Sequence, residues 1–249
     1  MTVTHDDELA ALKDIGRIVA NAIAAMHKAL EPGITTAELD AIGRRSLEGE
    51  GARSAPELMY GFPGATCISV NEEIAHGIPG PRVLKAGDLV NIDVSAEKAG
   101  FFADAGASFA IPPVTKQVER LCRDGKRALW TGLAEVGADR PLAGIGRAVG
   151  AFATKHGYTL VENLASHGVG RSLHEEPREI ATWPTRTDRR KMTEGLVFTV
   201  EPFLSLGARF AADGDDEWTL YSSPRAPTVQ YEHTVVATRN GALVLTLPG

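Results

Sequence analysis

Cysteine is nearly absent from this chain: Cys67 and Cys122 are the only two in 249 residues. Two thiols cannot form a disulfide framework, so the fold must rest on packing, and a reduced, cytoplasmic setting is expected. No uninterrupted apolar span is long enough to cross a bilayer, and no signal sequence opens the chain, which argues against a membrane partner. Basic runs are missing too. With a net charge of −6, no direct nucleic-acid partner is expected. Nor does a low-complexity linker divide the sequence. A chain of this length buries a substantial core, and one large mixed α/β domain over residues 1–249 is expected.

What is present is a repetition. Lys-Ala-Gly-Asp-Leu-Val-Asn-Ile-Asp closes at Asp93, and Met-Thr-Glu-Gly-Leu-Val-Phe-Thr-Val-Glu closes at Glu201. Each is a glycine turn followed by an apolar, β-branched strand that carries an acid at the same point. The pair reads as two related halves, residues 1–112 and 113–249, meeting at a shared acidic centre. Helical periodicity supports it. Helices are expected over residues 6–30, from Thr35 to Gly49 through a Thr35/Glu38 capping box, and over residues 115–136 and 141–156, so that each half runs two helices then strands. Residues 211–217, rich in Asp and Gly, are expected as an exposed loop or hairpin tip.

Alternation places the acids. Asn91, Asp93 and Ser95 share one strand face, and Phe102, Asp104, Gly106 and Ser108 share the face of the next. A four-residue loop over 97–100 would pair Ala96 with Phe101 and so set Asp93 directly opposite Asp104. Like charges so placed repel unless a cation neutralises them. In the second half, Glu201 shares a face with Val197 and Thr199, and Glu232 with Gln230 and Thr234. Between these and the first hairpin, His167 and His174 flank a glycine-rich bend. Asp93, Asp104, His167, Glu201 and Glu232 make a hard-oxygen set with one imidazole, suited to manganese, iron, cobalt or zinc. Four buried carboxylates are half compensated by one divalent ion and balanced by two, so two ions are expected, and such a pair points to hydrolysis.

These residues resemble type I methionine aminopeptidases of the M24 family. The resemblance runs through residues 67–79 (Cys-Ile-Ser-Val-Asn-Glu-Glu-Ile-Ala-His-Gly-Ile-Pro), Val-Asn-Ile-Asp-Val, Asp104, His-Gly-Val-Gly-Arg, His-Glu-Glu-Pro, Phe-Thr-Val-Glu-Pro and Gln-Tyr-Glu-His-Thr. It spans almost the whole chain. It implies the pita-bread fold, two pseudo-symmetric halves of helices and antiparallel sheet around a dinuclear metal site. By position it implies that Asp104 and Glu232 bridge the ions, that His167 and Glu201 complete one, and that Asp93 chelates the other. His76 would contact the scissile amide nitrogen, His174 the substrate carbonyl, and Glu201 would take the proton from water. Phe62, Cys67 and Trp218 stand where the family lines a pocket for methionine, with Met59 in place of the usual aromatic and Leu173 in place of a common phenylalanine. The substrates implied are peptides and nascent chains with a small second residue, met near the ribosome by a monomeric enzyme.

Two other readings stay open on sequence alone: a relative cleaving before proline, and a metal-free pita-bread protein that binds peptides. His233 points away from Glu232 and reads as structural, and His5, His27 and His156 have no site around them.

Overall fold

The computed structural model describes residues 1–248. Its first half contains α1 (Asp6–Ala29), α2 (Thr36–Gly49), β1 (Arg53–Ser54), α3 (Ala55–Tyr60), β2 (Cys67–Val70), β3 (Glu73–Ala75), β4 (Leu89–Lys98) and β5 (Phe101–Ala110). The second contains α4 (Lys116–Leu133), α5 (Ala143–His156), β6 (Thr159–Leu160), β7 (Ser166–Gly168), β8 (Glu175–Ile180), β9 (Val197–Val200), β10 (Phe203–Ser205), β11 (Phe210–Asp213), β12 (Leu220–Ser223), β13 (Thr228–Gln230), β14 (His233–Thr238) and β15 (Gly241–Val244). The four helices expected from periodicity are found within three residues of their expected ends. The strands pair antiparallel, β2 and β5 flanking β4 in one sheet and β15-β14-β9-β7-β8 forming another. Among the described residues no helix is long and apolar enough to cross a membrane.

Local chemistry accounts for the helices. α1 opens on Asp6, Asp7 and Glu8 and closes on His27 and Lys28, charges that suit its dipole. Its buried stripe, Leu12, Ile15, Ile18, Val19, Ala22 and Met26, packs on the first sheet with Val90, Ile92 and Val94. At α2 the capping box forms in both directions: the Glu38 amide donates to the Thr35 hydroxyl at 3.1 Å, and the Thr35 amide to the Glu38 carboxylate at 2.8 Å. In the second half, α4 and α5 cover a separate core around Phe198, Val200 and Val235.

The first hairpin corrects the expected register. Lys98 pairs with Phe101, so the turn is only Ala99-Gly100, and Asp93 faces Gly106 while Asp104 faces Ser95. Both turn residues have positive φ, 52° and 81°, the geometry whose twist matches that of the flanking strands. Glu97 therefore stays in the strand, where it accepts from the Gly100 amide at 2.7 Å and from Arg53 at 2.8 Å. The two aspartates are diagonal neighbours on one face and not a direct pair. Residues 211–217 also divide, since 211–213 lie in β11 and the tip begins at Gly214.

Candidate metal centre and its cavity

The acids converge where the two halves touch. The Glu232 amide donates to the Gly106 carbonyl at 2.8 Å, the Asp104 amide to the Thr234 hydroxyl at 2.9 Å, and Ala107 bridges Tyr231. β4 presents Asp93 and β5 Asp104, β7 presents His167, Glu201 follows β9, and Glu232 precedes β14. All five line one cavity of about 230 Å³.

The polar atoms there are arranged around a gap. His167 places its Nδ1 3.0 Å from the Gly168 carbonyl, which fixes the proton on Nδ1 and leaves Nε2 a bare acceptor. That Nε2 lies 3.8 Å from Asp104 and 3.7 Å from Glu201. These are not ion pairs, because burial and the neighbouring His174 pull the pKa of His167 down to about 3. Ligand atoms of Asp104, His167 and Glu232 lie within 4.8 Å of one another. Among the described residues, Asp104 Oδ1 and Glu232 Oε1 are buried with no hydrogen-bond partner. Lone pairs thus face lone pairs. Such orphaned acceptors are costly unless a cation or protons occupy the space between them.

The remaining oxygens are held. The Gln230 amide donates to Glu232 at 2.9 Å and to Asp93 at 3.4 Å, and its own carbonyl accepts from Asn91 at 2.8 Å. Gly106 leaves the space this amide fills, since a Cβ there would come within 2.1 Å of the Gln230 oxygen and displace it. The Thr199 hydroxyl donates to Glu201 at 3.0 Å. Without a cation three of the carboxyls keep protons at neutral pH: burial lifts Asp93 only to about 6, but burial and the charge of Asp93 lift Glu201 to about 8, and burial with neighbouring carboxylates lifts Asp104 and Glu232 well above the usual range. This donor set, four carboxylates with one neutral imidazole and two orphaned oxygens, fits a divalent metal.

Around the acids the cavity divides into a polar rim and an apolar wall. His174 lies against His167 with ring centroids 3.9 Å apart, and burial followed by the proximity of His76 lowers its pKa to about 4. His76 is wetted at its surface, yet the protein around it lowers its pKa as well. Its backbone has φ of 54°, the left-handed region that few side chains adopt. Phe62 and Trp218 meet edge to face at 5.2 Å, beside Cys67 and Leu173. Met59 is not part of this wall. Its side chain lies outside the cavity lining. One step along α3 rotates a side chain by about 100°, and it is Tyr60, 47% exposed at the rim, that lines the cavity, its hydroxyl 2.7 Å from His174 Nδ1. The sequence reading passed over Tyr60, although it adjoins the position considered. It also missed Pro56, Leu164 and Phe203, which line the cavity and carry no chemical signature. His233 is structural as expected, bonded to Thr246 at 2.9 Å and stacked edge-on against Trp130.

With this geometry described, the chain can be placed among known proteins. The sequence profile of metallopeptidase family M24 matches residues 10–239, and the chain belongs to that family. Methionine aminopeptidase 2 of Bacillus subtilis (strain 168) is 44% identical over 247 residues, 99% of each chain, and the methionine aminopeptidase of Escherichia coli (strain K12) is 34% identical over 99% of this chain and 94% of its own. Methionine aminopeptidase from Rickettsia prowazekii superposes with a TM-score of 0.93 at 30% identity, covering 99% of this chain and all of that one. The fold is the pita-bread fold, shared also with the prolidase from Pyrococcus furiosus at a TM-score of 0.79, 20% identity and 66% of that longer chain.

Proposed function

We propose that this protein is a metal-dependent aminopeptidase that releases the N-terminal methionine from peptides and nascent chains whose second residue is small. One observation carries the reading: two orphaned buried oxygens, of Asp104 and Glu232, and the bare Nε2 of His167 converge on the floor of a cavity walled by Phe62, Cys67 and Trp218. In this reading Asp93, Asp104, His167, Glu201 and Glu232 hold two divalent ions, with Mn, Fe, Co or Zn all compatible with the donors. When bound, such ions supply Lewis acidity, lowering the pKa of water and polarising a carbonyl. Full-length similarity to methionine aminopeptidases favours methionine over the proline-directed alternative, and the intact set of five ligand-type side chains favours catalysis over mere binding.

The chain's own residues supply the rest. The edge-to-face pair Phe62–Trp218 and the sulfur of Cys67 receive a thioether side chain. Glu201, partly open to the cavity, accepts a proton from water. His174 donates from Nε2 to the substrate carbonyl oxygen as negative charge develops there, and His76 meets the scissile amide nitrogen. His76 and the bend over residues 167–170 would crowd the space beyond the bond to be cut, which limits the second residue. One catalytic domain made of two halves, acting as a monomer in the cytoplasm near the ribosome without direct nucleic-acid contact, completes the proposal.

The test is a panel of tripeptides varied at positions one and two, assayed by kcat/KM with the Mn²⁺-loaded protein. Cleavage restricted to methionine before Ala, Gly, Ser, Thr, Val or Pro is expected. A requirement for proline at position two whatever the first residue, or no preference for methionine, would overturn it.

A further inference from the structure

We propose that Tyr60 is a positioning residue for the proposed hydrolysis: its hydroxyl holds His174 in the tautomer whose Nε2 carries the proton and can donate to the substrate oxygen. The inference rests on the role given above to His174.

A neutral imidazole has one N–H, and which nitrogen bears it is set by the partner of the other. Here the partner is a phenol 2.7 Å from Nδ1. A phenol is a good donor and an imine nitrogen a good acceptor, so the bond runs from Tyr60 Oη–H to Nδ1. A phenol ordinarily titrates at about 10, and burial pushes that of Tyr60 higher, so it keeps its proton. The only ring proton of His174 is then on Nε2. The opposite tautomer would present a lone pair to a developing oxyanion and repel it.

The neighbouring histidine has the reverse assignment. His167 gives its Nδ1 proton to the Gly168 carbonyl and turns a bare Nε2 to the carboxylates. Two imidazoles 3.9 Å apart are thus fixed as opposites, one an electron-pair donor and the other a proton donor. Tyr60 is anchored for this task. It closes α3, which ends at Gly61 with φ of 69°, while Ser54 caps the other end by accepting from the Glu57 amide at 3.3 Å. Arg44 of α2 grips the Glu57 carboxylate with both terminal nitrogens, one at 3.0 Å. The rings of Tyr60 and His174 stand 5.7 Å apart and tilted at 55°, with the hydroxyl within hydrogen-bond reach of Nδ1.

The experiment combines a double-mutant cycle with nitrogen NMR on the Zn²⁺-loaded protein. Tyr60→Phe keeps the ring and removes the donor; kcat on Met-Ala-Ser should fall roughly tenfold with KM little changed, short of the roughly hundredfold to thousandfold expected for loss of the donor itself in His174→Ala. In the His174→Ala background, Tyr60→Phe should cost nothing further, because Tyr60 acts only through that ring. Leu58→Ala, on the same helix but facing away, should match the wild type. In wild-type protein the His174 δ1 nitrogen should resonate as an unprotonated acceptor and the ε2 nitrogen as N–H. A proton found on Nδ1, an unchanged kcat in Tyr60→Phe, or additive losses in the double mutant would each overturn the inference. A protein without methionine-peptide activity that still shows this tautomer would sink the functional reading and leave the tautomer assignment standing.

Discussion

Three histidines converge on the cavity, and their surroundings separate their duties. His167 is buried, its Nδ1 committed to a backbone carbonyl and its Nε2 aimed at carboxylates, which is the posture of a ligand. His174 and His76 sit on the wetted rim and, among the described residues, have no carboxylate partner. It follows that His174→Ala and His76→Ala should lower kcat while Mn²⁺ affinity, read by calorimetry, stays within about threefold; a loss of one oxyanion donor costs roughly a hundredfold to a thousandfold in rate. Loss of metal in either variant would show that histidine to be a ligand. Residue types and alternation made the four acids and one histidine of the centre legible in the sequence, because buried charge without a partner is rarely tolerated. The wall was less legible. Met59 and Tyr60 are adjacent, and which of them faced inward depended on the phase of a six-residue helix too short to show a period.

At the scale of elements, the β4–β5 hairpin shows what sequence pattern could and could not fix. Alternation identified which residues share a face, and that survives any register that preserves parity. The register itself was set by the turn, and Glu-Lys-Ala-Gly reads equally as a loop of four or as two strand residues followed by a turn of two. What decided it is positive φ at Ala99, a residue with no special liking for that region. The shorter turn moves Gly106 opposite Asp93, opening the space that Gln230 fills to bind both Asp93 and Glu232. Ala99 carries the cost. Asn tolerates the left-handed region and Asn-Gly is the favoured pair for this turn, so Ala99→Asn should stabilise the protein by about 0.5–1 kcal/mol in urea unfolding with peptidase activity unchanged. A destabilised variant would mean that the turn is not the two-residue form described.

At the scale of the whole molecule, two hydrophobic cores, one under α1 and one under α4 and α5, meet along a seam that contains four carboxyl groups. Helix pairs and the shared acidic centre could be read from the repeated motif, whereas the seam contacts depend on side chains far apart in sequence, such as Asn91 with Gln230. Burying that much acid makes stability depend on pH in a definite direction. Asp104, Glu201 and Glu232 have folded pKa values raised above those of the unfolded chain, Glu201 to about 8. In the metal-free protein they keep protons that the unfolded chain has released, so stability is lost as pH rises towards the folded values, by about 1.4 kcal/mol per pH unit for each proton retained. The histidines His167 and His174 act oppositely, their pKa values depressed from 6.5, and their contribution is lost as pH falls through and below that value. From about pH 7.5 to 8.5, a unit or more above the ordinary histidine value, unfolded histidines have released their protons and the acids govern the slope. A bound divalent metal takes the place of those protons, removes the slope, and adds stability because it binds only the folded chain. The most direct measurement is therefore urea unfolding of metal-free and Mn²⁺-saturated protein at steps across that window. The metal-free protein should weaken steadily as pH rises while the Mn²⁺ form stays level and more stable; a metal-free protein indifferent to pH, or identical midpoints with and without Mn²⁺, would contradict a buried carboxylate centre built to hold a cation.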